Sequence, residues 1–428
     1  MNEQRPSQRK IAVIGAGVSG IVASHILQRK YEVHLFEKND YLGGHTNTIV
    51  IPDGPDQGTP VDTGFIVLND RTYPLFNQFL NQLNVSTRKS EMSFSYFDKR
   101  DGFQYKGTNL NSLFAQRKNL LSPSFYKMLS GIKKFSKQAL FDLEHDRFQG
   151  ETLGEYIEKI GINEQGKNRF LIPMGGAIWS SSNRDILDYP AQSFVRFFKN
   201  HGLLSFKDIP QWQTVIGGSH AYVHAFRQQF NGQIHLQAEI ENVRRNEEHV
   251  ILRMADGSEQ LFDDVILAAH ADQSLNLLAD ATAEEKKWLG TWSYSENHTI
   301  LHTDTSVLPS LRRAWASWNY VRDHQASAPD AKPVSVSYYM NLLQGLKTAH
   351  DYCVTLNGAE AISPEKVIKE IRYRHPVYTA EAIRSQEELP KLNGKNNTYF
   401  CGSYFGYGFH EDGVRSGVEV ARKMGLDL

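Results

Sequence analysis

An α/β fold is what the two ends of the chain predict: a parallel-sheet domain, interleaved in sequence with an α+β domain. Three observations predict it. Lys10-Ile-Ala-Val-Ile14, a short apolar and partly β-branched run, passes directly into Gly15-Ala-Gly17-Val-Ser-Gly20. A second run, Tyr31-Glu-Val-His-Leu-Phe36, ends on an acid, Glu37. Near the other end, Asn397-Thr-Tyr-Phe-Cys401-Gly402-Ser403 reads as a strand entering a glycine turn, and Gly413-Val-Arg-Ser416-Gly417 opens a helix.

The first run has the character of a buried parallel strand. Gly15 permits a tight turn, Gly17 lets backbone approach a pyrophosphate, and Gly20 lets the following helix sit close on the sheet. The N-terminus of that helix offers unpaired N–H groups and a positive dipole end to an anion. Gly15, Ala16, Gly17, Val18, Ser19 and Gly20 are therefore candidate cofactor contacts. Glu37 lies 22 residues past Gly15 at the end of the next strand. A carboxylate there accepts hydrogen bonds from ribose hydroxyls and repels a 2′-phosphate, which disfavours NADP. Lys38 joins it as a candidate contact. A tight glycine turn without a ligand is the competing reading, and it leaves Glu37 unexplained.

The segment after Glu37 continues to Gly43-Gly44-His45-Thr46, and Val61-Asp-Thr-Gly64-Phe65 follows. These pieces resemble the extended FAD signature of the flavin amine-oxidase superfamily. That family continues Gly-Gly-Arg where His45 stands here. The Gly217-Gly218 turn with its helix, and the terminal strand, glycine turn and helix, resemble the same superfamily. The resemblance implies FAD, held by Gly43, Gly44, His45, Thr46, Gly64, Phe65 and the backbone of Val243, and by Gly402, Ser403, Asp412, Gly413, Val414 and Ser416. It implies a terminal helix whose N-terminus faces the flavin, where N–H groups and dipole stabilise negative charge, and a Gly413 that leaves room for the ring. The fold it implies is a Rossmann-type FAD-binding domain (1–84, 211–285 and 386–428) interleaved with an α+β substrate domain (85–210 and 286–385).

Gly-Gly-His-Thr-Asn-Thr, Asp-Thr-Gly-Phe-Ile-Val-Leu-Asn and Phe-His-Glu-Asp-Gly together resemble a bacterial group of FAD-binding oxidoreductases. Its relatives include desaturases and isomerases of fatty acyl chains. The resemblance implies a small, lipid-like substrate placed against flavin N5. An amine or amino-acid oxidase, and a non-catalytic FAD-binding factor, are the alternatives. His410 and Glu411 precede the terminal helix beside the expected cofactor. His is the natural proton carrier near neutral pH, so these two are the candidate catalytic residues, against a purely structural contact. No second GxGxxG occurs, which argues that electrons come from the substrate or that the flavin cycles without net change.

Val250 to Asp264 reads as a hairpin turning at Asp256-Gly257, followed by a buried strand, Val265-Ile-Leu-Ala-Ala269. In the substrate domain, Val334 to Asn341 alternates as a strand does. Trp179, Trp315, Trp318, Tyr320, Tyr338 and Tyr339 supply aromatic surface for an apolar pocket, with ordinary core as the competing reading. Phe103 to Phe141 contains no acid and carries Lys106, Arg117, Lys118, Lys127, Lys133, Lys134 and Lys137 among apolar residues. That is a candidate contact to an anionic membrane surface, or a solvated helix face.

The 428 residues carry a formal net charge of −1, which gives no global reason to expect nucleic acid. The two cysteines, Cys353 and Cys401, form no CxxC pair or Cys/His cluster, so neither a metal site nor a disulfide framework is expected. Arg9-Lys10 before an apolar run mimics a signal peptide, but that run holds the glycine motif. No stretch reaches 18 uninterrupted apolar residues, so no transmembrane helix is expected. The expected location is cytoplasmic, with the inner membrane surface as the site of any peripheral contact. The sequence leaves the oligomeric state open.

Overall fold

The computed structural model describes residues 8–107, 110–179, 182–204, 209–322 and 335–428. A five-stranded parallel sheet runs in the order Gln233–His235, Glu32–Phe36, Lys10–Ile14, Asp264–Leu267, Thr398–Phe400. Ile11, Ala12, Val13 and Ile14 are all buried because both faces of this sheet are covered. The helix Val18–Leu27 buries eight of its ten residues. It lies between the sheet and the terminal helix His410–Lys423. Close approach of the two helices depends on Gly417, where a Cβ would sit 2.5 Å from the Ser19 carbonyl oxygen. Each fully buried Val, Ile or Leu in such a layer contributes about 1.5–3 kcal/mol.

The hairpin expected at Asp256-Gly257 forms as Val250–Met254 and Glu259–Phe262, with Ile240–Arg245 completing a three-stranded antiparallel sheet. A mixed seven-stranded sheet runs Val367–Pro376, Tyr294–His302, Cys353–Leu356, Val336–Tyr339, Trp318–Arg322, Phe94–Asp98, Phe103–Lys106. The strand expected over 334–341 occupies Val336–Tyr339, and Met340 to Leu343 turn into a short helix; Val334 lies outside the described residues. One register row of this sheet joins Tyr320, Val336, Leu356, Thr299 and Ile371. The basic stretch is not one helix. It comprises the strand Phe103–Lys106, a short helix Leu110–Leu113, a 3-10 turn Arg117–Leu121 and the long helix Pro123–Glu144, whose first turn Ser122 caps. Among the described residues no helix is long and apolar enough to cross a membrane.

Candidate cofactor and active site

Gly15 takes φ +106°, and a Cβ there would lie 2.7 Å from the Ala268 carbonyl oxygen. A Cβ on Gly20 would lie 1.9 Å from the Gly15 carbonyl oxygen, so this turn tolerates no side chain. Gly17 differs: nothing stands within 4 Å of where its Cβ would be. It precedes Val18 and Ser19, whose helix has no side-chain cap. Open space at an uncapped helix N-terminus suits an anion. Gly43 donates to the Ala16 carbonyl at 2.8 Å, and a Cβ on Gly44 would meet the Gly17 Cα at 3.3 Å, so the two glycine motifs lie side by side. The Glu37 carboxylate is buried, accepting from the Ala16 N–H at 2.9 Å and from both Asn39 nitrogens. Lys38 is exposed beside it.

His45 stands buried among aromatic rings. Its ring stacks on Tyr373 at 4.8 Å and lies 5.2 Å from His375 and 6.4 Å from His270. Burial pushes His45 down to about 4 and His270 and His375 down to about 3, so all three are neutral near pH 7. His45 Nε2 and His270 Nδ1 are buried without a hydrogen-bond partner. Orphaned nitrogens of this kind are costly alone and suit a polar ligand that completes them. They fit a bound dinucleotide. Among the described residues no three His, Cys, Asp or Glu side chains are arranged to hold a metal.

The terminal helix begins at His410, three residues before the expected start at Gly413. The cause is Asp412: its Oδ2 accepts from the Tyr407 and Phe409 amides at 2.9 and 3.1 Å, and Arg415 Nη2 donates to its Oδ1 at 2.7 Å. The need for glycine at 413 also differs from expectation. A Cβ there would lie 2.7 Å from Val18 Cγ1, so helix contact accounts for it. Ser416 Oγ accepts from the Gly402 amide at 2.9 Å and donates to the Gly413 carbonyl at 2.8 Å, fastening turn to helix. The Ser403 carbonyl accepts from the Gly406 and Gly408 amides, and Val414 is core. Cys401 is fully buried, its thiol pushed up to about 12 by burial.

The two candidate catalytic residues come next to the motifs but are committed elsewhere. His410 lies against Phe65, and its Nε2 meets the Tyr222 hydroxyl at 2.9 Å and Thr46 Oγ1 at 3.3 Å. Burial pushes it down to about 3, far below the range of a general base at neutral pH. Glu411 accepts from the Leu75 and Phe76 amides at 3.0 and 2.9 Å, anchoring the start of the helix Pro74–Gln82. Burial pushes Glu411 up to about 7. The Phe65 amide donates to the His45 carbonyl at 2.8 Å, and a Cβ on Gly64 would lie 2.2 Å from that oxygen.

Val243 does not present a free backbone. Its carbonyl accepts from the Ala279 amide at 3.0 Å and its side chain is fully buried. The backbone beside Glu37 is that of residues 237–240: the Gln237 amide donates to Asn39 O and the Ala238 amide to Glu37 O. A β-bulge follows between Ile240 and Asn242. Sequence reasoning also missed Tyr222, Tyr373, His270 and His375. It passed over Asp62, whose carboxylate gathers Thr48, the Ser219 amide and hydroxyl, and Gln344. An acid inside the apolar Val61–Phe65 run was the available signal.

An aromatic wall adjoins the terminal motif. Phe409 stacks on Phe197 at 4.9 Å, Phe197 meets Trp179 at 4.9 Å, and Trp179 meets Tyr189 at 4.6 Å. Tyr378 continues it, and the hydroxyls of Tyr189 and Tyr378 are buried without partners. Trp318 and Tyr338 contact each other on one face of the seven-stranded sheet, while Trp315 packs on Tyr339, which alternation points to the other face.

Comparison with known proteins agrees with this geometry. Residues 18–340 match the family model described as flavin containing amine oxidoreductase. The chain is 31% identical over 147 residues to a 4,4'-diapolycopen-4-al dehydrogenase of Metabacillus indicus, covering 32% of this chain and 28% of the relative. It is 29% identical over 150 residues to a 1-hydroxycarotenoid 3,4-desaturase of Flavobacterium sp. strain P99-3, covering 31% and 28%. The chain thus spans little more than a quarter of the curated relatives it matches. The CLA-producing fatty acid isomerase from P. acnes shares its fold, with a TM-score of 0.69 at 14% identity over 98% of this chain and 99% of that one.

Proposed function

Since the chain belongs to the family of flavin-containing amine oxidoreductases, we propose that it is an FAD-dependent oxidoreductase acting on a fatty acyl chain, by desaturation or by double-bond isomerisation. The observation that carries the choice of substrate is that, among the described residues, no free acid stands at the terminal motif. Both carboxylates next to the terminal motif are spent, Asp412 on Arg415 and two amides, Glu411 on two amides. An ammonium substrate would have only ring faces and no carboxylate to hold it there, whereas an acyl chain needs only the apolar wall. The desaturase relative and the isomerase fold support this reading.

FAD supplies hydride acceptance when bound. In this reading the helix N-terminus at Val18 and Ser19 holds the pyrophosphate, and Glu37 accepts from the ribose. The adenine contact falls to the backbone around Ile240. His410 positions Phe65 rather than moving the substrate's proton, and Glu411 holds the Pro74–Gln82 helix to the site. Phe409, Phe197 and Trp179 exclude water from the reacting carbons.

The 3-10 turn supplies a route to lipid. Leu121 is 89% exposed, with Leu120 and Tyr126 beside it and Arg117, Lys118 and Lys127 around them. The Tyr126 hydroxyl donates to the Leu120 carbonyl, which keeps the apolar tip together. We read this tip as a peripheral contact to an anionic bilayer.

Anaerobic bleaching of the flavin spectrum, with free fatty acids, phospholipids and amines compared side by side, tests the function. Bleaching by acyl substrates is expected. Bleaching by amines alone would establish an amine oxidase, and neither bleaching nor a moved double bond in the recovered acyl chain would establish a non-catalytic FAD protein.

A further inference from the structure

One edge of the parallel sheet carries a pair of histidines that no cofactor motif uses. His34 and His235 stand on the neighbouring strands Glu32–Phe36 and Gln233–His235. Their rings lie within 11° of parallel with centroids 5.4 Å apart, and His34 Nδ1 is 3.2 Å from His235 Nε2. His34 Nε2 is 3.0 Å from Glu32 Oε1, which Lys10 Nζ also approaches at 3.5 Å. Phe36 stacks on His235 at 4.4 Å. Phe262, from the three-stranded sheet, meets Phe36 and His34 edge-on.

Hydrogen-bond chemistry limits how many protons this pair can hold. The hydrogen bond from His34 keeps the Glu32 carboxyl below its usual range, so Glu32 is an acceptor and His34 Nε2 carries a proton. The facing nitrogens, His34 Nδ1 and His235 Nε2, then need one proton between them. Two neutral rings meet that need, and so does one neutral ring beside one imidazolium. Two imidazoliums do not: both facing nitrogens become donors and two like charges meet across 3.2 Å. Burial, and after it His34, hold His235 below the ordinary imidazole range. Among the described residues, Lys10 and Glu32 are the other charged groups against the pair.

The pair sits at the start of the segment that runs beside Glu37. The His235 carbonyl accepts from the Glu37 amide at 2.8 Å. The Gln237 and Ala238 amides donate to the Asn39 and Glu37 carbonyls at 2.9 and 2.8 Å, and Ile240 follows. The strand Gln233–His235 is three residues long and lies at the sheet edge, paired to Glu32–Phe36 alone. The grip of His34 and Phe36 on the His235 ring therefore matters to its docking.

We propose that His34 and His235 form an acid-sensitive latch on the adenosine end of the cofactor. Double protonation parts the rings, frees the strand Gln233–His235 and draws the backbone of residues 237–240 away from Glu37. The proposal rests on the reading above that this backbone contacts the adenine.

Titration of the apoprotein with FAD from pH 7 to pH 4.5, followed by flavin fluorescence, tests it. Hydrogen exchange over residues 233–240, corrected for the intrinsic rate, is the second readout. Wild-type affinity is expected to fall below pH 6 by up to about tenfold per pH unit, the limit for one proton that must leave on binding. Exchange over 233–240 should rise in the same range. His235→Gln keeps a donor for His34 Nδ1 and cannot ionise. It should bind FAD as wild type does at pH 7 and lose less than about threefold down to pH 5. His34→Gln, expected to behave alike, serves if His235→Gln folds poorly. Asp62 and Glu411, raised to about 6 and about 7, also titrate near this range. Both stand outside the latch and remain in the variants, so the difference between curves isolates the pair. Unchanged exchange in acid, or an acid loss of FAD that is the same in wild type and variants, overturns the latch. A rise in exchange at constant FAD affinity instead removes the adenine reading beneath it.

Discussion

His410 lies flat on Phe65, their ring centroids 3.8 Å apart and their planes 10° from parallel. The pair couples the Gly64–Phe65 turn to the start of the terminal helix, and Tyr222 fixes the imidazole from the side. A neutral, stacked histidine is a strut. His410→Phe should keep the stacking but remove one partner of the Tyr222 hydroxyl, leaving it on Thr46. The expected cost is about 1 kcal/mol of stability, read from denaturant midpoints. Flavin reduction by substrate should keep its pH profile. Loss of one limb of that profile in the variant would make His410 a proton carrier after all.

Glu411 gives a pH prediction with a definite sign. Its folded value is raised to about 7 from 4.5, so between these pH values the unfolded chain releases a proton that the folded protein keeps. Stability contributed by this site therefore falls as pH rises through that window. Glu411→Gln should flatten this part of the stability–pH curve, since the amide keeps one acceptor and cannot ionise. Glu411→Ala should cost about 1–2 kcal/mol by uncapping the Leu75 and Phe76 amides. An unchanged curve in Glu411→Gln, measured by urea unfolding from pH 5 to 8, would count against this assignment.

The three histidines predict the opposite linkage on ligand binding. His45, His270 and His375 are neutral in the cofactor-free protein, with Lys38, Asp272 and Arg374 the charged groups around His270. A pyrophosphate brought near them favours their charged forms. FAD binding should then take up protons, and the cofactor should bind more weakly as pH rises from 6 to 8. Calorimetry in two buffers of different ionisation enthalpy measures this directly. His45→Arg should reduce the uptake while retaining FAD. Buffer-independent heats in the wild-type protein would sink the idea.

The exposed tip predicts salt-sensitive lipid binding. Co-sedimentation with vesicles containing anionic lipid should fall when Leu120 and Leu121 are both changed to Ser, and fall again at high salt, because each nearby Lys or Arg contributes about 1 kcal/mol at such a surface. Equal binding to neutral and anionic vesicles is the outcome that excludes it.

Local motifs were legible because their constraints are local. Gly15, Gly20 and Glu37 each answer to a turn, a helix crossing or a strand end a few residues away, and the chain spells these out in order. What depends on distant segments was not legible. The histidine cluster draws on residues 45, 270 and 375, which nothing in spacing brings together. Glu411 looked like chemistry because it precedes a helix; its carboxylate is taken by amides some 335 residues earlier in the chain. Gly413 was expected to leave room for the flavin ring; the neighbour that excludes a side chain there is Val18. Our proposal of the backbone near Ile240, rather than Val243, for the adenine contact has the same origin, since only the pairing of residues 237 and 238 with Asn39 and Glu37 brings that backbone beside Glu37.

The fastening of Gly402 to Gly413 by Ser416 has a consequence for biosynthesis. This wall of the cleft leaves the ribosome after every partner it closes against, so the earlier segments must wait with an unpaired strand beside Asp264–Leu267 and the nucleotide groove unroofed.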